Sequence, residues 1–409
     1  MSDARPVNPA ARPLDASLAG AGGAAATRSV TRWAARTLFF FAGFLFATWG
    51  VHIPTIKLVY GVDEAALGLA MLAGGVGALI GLSQAGGIIG RLGPRTVACW
   101  GGMATALAIA SLLAMPGFAA LLVLLLVFGC GSSLLDVAMN AEASELERLE
   151  ARPMMSGFHG MFSLGGMAGA GLGSALLHAG VAPLGHLLAV AAGSALAILW
   201  AGTRMLPHQR PEAGVAKEKF MLPRGVILLL GCMAALGFVV EGAVYDWSVL
   251  YLYKEVGTPQ NVAALAYASF SAAMALTRFG GDWLRARFSG ARLLRGSAVL
   301  AAAAMAMVLL AGEPWVALLG FALVGVGLAN VVPVLFSAAA QVTGVSAAQG
   351  IASVASMGYL GFMVGPPMIG FIAHASSLTA ALYVVVGFAV VLAIGAPRAM
   401  PRQPGNLAG

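Results

Sequence analysis

The 409 residues are 60% hydrophobic and include 55 glycines, while the charged fraction is 10%, far below the ~25% of a soluble domain. So few charges cannot cover the surface of two or three soluble domains; roughly 240 residues would instead make twelve spanning helices of about 20 apolar residues each. The net charge of +7 comes without a basic cluster interleaved with stacking aromatics, so no nucleic-acid partner is expected.

Residues 1–33, rich in Ala, Arg and Pro, hold no apolar run of spanning length and read as a disordered cytoplasmic tail. From Thr37 onward apolar segments alternate with short polar breaks. They predict spans at 37–59, 64–89, 96–114, 118–141, 155–179, 184–203, 224–251, 261–283, 292–311, 314–339, 346–373 and 377–396. Interior Pro and Gly do not exclude helix in a membrane. The longest polar break, 204–223, is a central cytoplasmic loop between an N-terminal six-helix bundle (34–203) and a C-terminal one (224–397); residues 398–409 form a second tail. With the N-terminus inside, every Lys and Arg except Lys57 and Lys254 falls in a cytoplasmic segment. That asymmetry predicts a multi-pass inner (plasma) membrane protein with both termini cytoplasmic.

The halves look alike. Gly129 and Gly325, Gly131 and Gly327, Leu164 and Leu360, Gly165 and Gly361, Gly169 and Gly365, and His178 and His374 are each 196 positions apart; Trp49 and Trp247 are 198 apart. Six helices per repeat favour a parallel duplication, with its axis along the membrane normal.

The break after the second span, Gly86-Gly-Ile-Ile-Gly90-Arg91-Leu-Gly-Pro-Arg95, resembles the cytoplasmic signature of the major facilitator superfamily, with Gly90 where the family has Asp. Arg278-Phe-Gly-Gly-Asp282-Trp-Leu-Arg285-Ala-Arg287 resembles its second copy and keeps the Asp. Three further segments, Asp136-Val-Ala-Met-Asn140, Ser156-Gly-Phe-His159-Gly and Glu241-Gly-Ala-Val-Tyr-Asp246-Trp-Ser, are similar to the fucose-permease-related, YbjJ-like branch. The resemblance implies the major facilitator fold: an all-α membrane protein of twelve helices in two pseudo-symmetric six-helix bundles.

An ionised side chain at a helix centre in lipid costs about 2.5 to 3.5 kcal/mol on insertion scales, so each needs a partner or a polar cavity. Asp136 lies deep in the fourth span, with Asn140 one turn on along the same face. In the seventh span Glu241, Tyr245 and Ser248 share a face, whereas Asp246 lies about 140° around the helix from Glu241. Glu241 is therefore read as cavity-facing and Asp246 as a packing or gate residue. Asp136 and Glu241 are the proton-coupling candidates, the role of Asp136 also being implied by the resemblance, whose first-span carboxylate has no counterpart here.

Trp49, His52, Asn140, Tyr245 and Asn330 are candidate substrate contacts. Trp49 can stack on a sugar face or sit in an interfacial belt, and Asn330 can meet substrate or satisfy a carbonyl freed by Pro333. His159 is a relay or a packing residue. Arg91, Arg95, Arg278 and Asp282 are candidate gating residues. Glycines 157, 160, 165, 169 and 173, with 358, 361, 365 and 370, are expected where the two halves rock against each other.

No nucleophile–base or metal constellation and no phosphate-binding Gly-rich loop is present, so neither an enzyme nor a bound cofactor or metal is expected. The reading is a secondary active transporter that moves a small polar, sugar-like solute by alternating access with proton coupling, its partners being substrate, proton and lipid. Proton-driven efflux of amphipathic compounds, and a non-transporting membrane sensor, are the alternatives. The oligomeric state is not legible.

Overall fold

The computed structural model describes residues 14–152, 154–207 and 223–400, with side chains from residue 29 onward other than those of Asp282 and Ala348. Its regular structure is helical throughout. The N-terminal half comprises α1 (Leu14–Tyr60), α2 (Glu64–Leu92), α3 (Pro94–Ser111), α4 (Phe118–Glu150), α5 (Met155–His178) and α6 (Pro183–Gly202). The C-terminal half comprises α7 (Gly225–Lys254), α8 (Gln260–Phe279), α9 (Gly281–Arg287), α10 (Gly290–Ala311), α11 (Pro314–Leu328), α12 (Val331–Ala339), α13 (Ala347–Ala375) and α14 (Leu378–Ala399).

Among the described residues, eleven helical segments are long and apolar enough to cross a membrane, with α11 and α12 counted as one. The expected third span, α3, is not among them: in its 18 residues Arg95, two threonines, two glycines and Ser111 dilute the apolar content. It still packs into the bundle, against α4 and α6. The expected span 314–339 is interrupted at Ala329 and Asn330. Pro333 then falls in the first turn of α12, where its missing N–H leaves no intrahelical bond unmade. The eighth span ends at Phe279, and residues expected to continue it turn into the short α9.

The expectation of a disordered segment up to residue 33 needs correction at its C-terminal end. Helix α1 begins at Leu14, within an Ala-rich stretch that also carries Gly20, Gly22 and Gly23. Thr31 is buried, and Arg32 forms an ion pair with Glu150 at 3.2 Å. Residues 1–13 and 401–409, and most of the central loop, lie outside the described residues.

Both ends of the helical body lie at one end of the bundle. Arg32 meets the end of α4, and Met400 packs on Gly290 at the start of α10. This is the Arg-rich end; Lys57 and Lys254 mark the other. Carboxylates on the last turns of α4 organise the Arg-rich end of the N-terminal half. Glu142 accepts from the Leu206 amide at 2.7 Å, and Glu147 accepts from the amides of Met154 and Met155, both at 2.9 Å, capping α5.

The duplication is visible in the packing. Gly165 lies against the Phe40 carbonyl of α1, and its repeat partner Gly361 lies against the Ala235 carbonyl of α7. Most of the glycines expected between the halves therefore serve a different contact. Gly165, Gly169 and Gly173 recur every four residues on the α5 face that meets α1, and Gly358, Gly361 and Gly365 on the α13 face that meets α7. Only Gly160, against Phe279, and Gly370, against Glu64 and Gly68, touch the opposite half; Gly157 has nothing within reach.

Candidate functional site

The spanning part of α4 carries Asp136 into the space between the halves, where it is partly exposed. Asn140, one turn on, donates from Nδ2 to Asp136 Oδ1 at 3.1 Å and to the Asp136 carbonyl at 2.9 Å. Tyr359 of α13 reaches the same carboxylate from the opposite half. Among the described residues no cation pairs with Asp136. Two neutral donors thus solvate a carboxylate at mid-span, an arrangement able to take up and release a proton without breaking an ion pair.

On α7 the two acids differ in their compensation. Glu241 is buried, and Arg278 of α8 lies 3.2 Å from it; the same guanidinium donates to Ser163 of α5 at 2.9 Å. Asp246, also buried, faces the indole of Trp49 across the halves and meets no cation among the described residues. The helix keeps an unbroken α-helical course through both positions, so the separation around the axis holds and the two carboxylates serve different contacts.

The other expected substrate contacts scatter. Tyr245 is buried in an aromatic cluster with Phe46, Tyr267 and Phe270, at ring distances of 6.0, 4.9 and 4.9 Å. Trp49 is 4% exposed and packs against Phe128. His52 is fully buried within the N-terminal half. Its Nε2 lies 2.8 Å from His186 Nδ1 on α6, and its Nδ1 lies 3.3 Å from Thr55 Oγ1. Asn330 sits at the break between α11 and α12, near the Arg-rich end, its Oδ1 accepting from Arg285 at 3.5 Å. His159 borders the inter-half space with its ring edge-on to Phe39.

Aromatic rings line the space between the halves. Phe46 of α1 stacks with Phe128 of α4 and approaches Phe362 of α13, while Phe238 of α7 stacks on Tyr359. Asp136 and Asn140 place polar groups on the α4 side of this apolar wall.

The two seams between the halves differ. Along α5 and α8, contacts reach the Arg-rich end through Arg278 to Ser163, Arg285 to Ser156 at 3.1 Å, and Phe279 against Gly160. Along α2 and α13 the helices touch at Gly68 with Pro367 and at Gly75 with Met363, but side chains added at Gly86, Gly87 or Gly90 would meet nothing. This second seam is open toward the Arg-rich end and leaves Tyr359 39% exposed. Of the gating candidates, Arg278 holds the closed seam, Arg91 and Arg95 are exposed at the open one, and the Asp282 side chain lies outside the described ones.

Two arrangements were not legible in the sequence. Trp49 and Asp246 are nearly two hundred positions apart, and only the packing of α1 on α7 brings them together. Similarly, nothing in the α8 sequence marks Arg278 as a partner of Glu241 rather than a topological anchor.

Two helical halves related by duplication, with eleven segments among the described residues long and apolar enough to cross a membrane, define a multi-pass membrane transporter. The chain belongs to the Major Facilitator Superfamily, whose family model matches residues 37–353. It is 36% identical over 372 residues, 90% of this chain and 95% of the relative, to an uncharacterized MFS-type transporter of Yersinia pestis. A D-xylose-proton symporter structure superposes with a TM-score of 0.76 at 13% identity, covering 93% of this chain and 99% of that one. The E. coli fucose:proton symporter FucP matches with a TM-score of 0.61 at 18% identity, over 90% and 98% of the two chains. At these identities the solved structures show the shared fold alone.

Proposed function

We propose that the chain is a secondary active transporter of the inner membrane, with both termini cytoplasmic, that moves a small polar, sugar-like solute by alternating access coupled to protons. The observation that carries this reading is Asp136: a partly exposed mid-span carboxylate held by Asn140 and Tyr359, with no ion-pair partner among the described residues. Burying a charge in a membrane is costly, and a carboxylate without a cation meets that cost by binding a proton. Tyr359 reaches it from the other half, so rocking of the halves would change the hydrogen bonding of Asp136 and couple its protonation to access.

Asn140 then orients the carboxylate and offers an amide to substrate hydroxyls, and the aromatic rings supply faces for the apolar side of a sugar ring. Glu241, neutralised by Arg278, contributes to closing the α5 and α8 seam, and Asp246 is a second proton-binding candidate. The open seam gives the site a route to the Arg-rich, cytoplasmic end. Two structural neighbours are proton symporters of sugars, in keeping with this reading.

The test is uptake into proteoliposomes across a panel of radiolabelled sugars, with and without an imposed pH gradient. The expected result is accumulation that collapses with a protonophore, and an Asp136→Asn variant that loses accumulation but keeps exchange. Full accumulation by Asp136→Asn would remove the assigned role. A second reading, proton-driven efflux of amphipathic compounds, is favoured by the ring wall of Phe46, Phe128, Phe238 and Phe362. It predicts resistance to lipophilic cations on expression and no sugar uptake.

A further inference from the structure

Only two cations in the chain break the charge asymmetry, Lys57 and Lys254, and both converge on one carboxylate. Lys254 Nζ lies 2.7 Å from Glu64 Oε1 and Lys57 Nζ lies 3.2 Å from the same oxygen. The Glu64 side chain is only 6% exposed, whereas those of Lys57 and Lys254 are 24% and 43% exposed. Glu64 opens α2 and Lys57 closes α1, both in the N-terminal half. Lys254 ends α7 in the other half. One ion pair is therefore internal to a half, and the other crosses between halves.

The backbone at the same point makes a second, independent contact across the halves. A Cβ at Gly370 of α13 would meet the Glu64 carbonyl and the Gly68 Cα, so closure brings backbones together here. Repeat geometry adds a third observation. Lys57 and Lys254 are 197 positions apart, within the repeat offset, and the counterpart of Glu64, 196 positions on, is Gln260. Gln260 also reaches the opposite half, donating to the Val51 carbonyl at 2.9 Å and to Thr55 Oγ1 at 2.8 Å. The duplicated site thus holds the halves together twice, once through a carboxylate and lysines and once through a neutral amide.

We propose that Glu64 and Lys254 form the latch that closes the Lys-bearing end, and that this ion pair must break once in every transport cycle. Lys57 is the positioning residue that holds Glu64 when Lys254 departs. In the closed state the carboxylate has two ammonium partners, and on opening it keeps one, so a nearly buried charge is never left bare. The neutral Gln260 contact on the pseudo-symmetric side gives way at lower electrostatic cost, making the Glu64 side the one that sets the closing force. This deepens the alternating-access reading, and its test needs no substrate, so failure of the latch and failure of the transport assignment are distinguishable.

The experiment places spin labels at Ala114 and Glu313, exposed in the loops of the two halves at the Lys-bearing end, with the native cysteines replaced. Distances are read by pulsed electron resonance in nanodiscs. Wild type is expected to give a dominant short distance. Lys254→Met, which removes the partner of Glu64 in the other half and leaves Lys57 and the neighbouring His374–Asp63 contact at 3.1 Å in place, should raise the longer-distance population about fivefold, the shift expected for a partly exposed ion pair. Lys57→Met, which leaves the cross-half pair intact, should keep the wild-type distribution. Gly370→Ala should lengthen the distance without any change of charge, and high salt should move wild type toward Lys254→Met. An unchanged distribution in Lys254→Met, or equal lengthening in Lys57→Met, overturns the latch.

Discussion

Arg278 Nη2 lies 3.2 Å from Glu241 Oε1 while its other terminal nitrogen bonds Ser163 in the opposite half. One guanidinium therefore neutralises a buried acid of its own half and fastens the α5 and α8 seam. Removing it leaves Glu241 an unpaired charge in a spanning helix, a change that typically costs about 3 to 5 kcal/mol. Arg278→Met should lower the thermal midpoint of detergent-solubilised protein sharply. Adding Glu241→Gln to the same chain should recover a good part of the loss. No recovery would mean that Arg278 acts through packing alone.

Asp246 faces the Trp49 indole across the halves. Trp49→Phe keeps most of the ring volume and removes the indole N–H, leaving a buried acceptor short of a donor at a cost of about 1 to 3 kcal/mol. The expected result is a lower thermal midpoint, partly restored by Asp246→Leu in the same chain. Equal midpoints for wild type and Trp49→Phe would show that the indole does not support the acid.

The repeat predicts a matched pair of packing defects. Gly165→Ala places a methyl on the Phe40 carbonyl, and Gly361→Ala places one on the Ala235 carbonyl. Overpacking of this kind costs about 1 to 3 kcal/mol, and the two variants should be destabilised to a similar degree. Gly157→Ala, with nothing near it, should be neutral in the same melting assay.

Topology has a direct test. Cysteine introduced at Ala114 should react with a membrane-impermeant maleimide in intact cells, whereas cysteine at Arg152 should react only after permeabilisation. The reverse pattern would invert the orientation drawn from the cations.

The boundary between what the chain order shows and what folding decides follows the range of the interactions. Apolar run length and cation placement are local properties, so the helices, their alternation and the two Arg-poor turns at Lys57 and Lys254 could be read directly, as could the duplication. The face shared by Asp136 and Asn140 was legible because i, i+4 geometry is fixed within one helix. Partners on other helices were not. Glu241 and Asp246 are indistinguishable by composition, and only the packing of α8 and α1 against α7 gives one an arginine and the other an indole. His52, a candidate substrate contact by its place in the first span, is turned inward onto His186 by the packing of α6. The glycines showed that helices approach closely but not which ones, since a small residue permits a contact without choosing it. Sequence alone determined a duplicated, multi-span helical membrane chain with acids inside its helices. Tertiary structure decided which acids are compensated and which seam is open, because in lipid a charge is defined by the side chains that reach it from other helices.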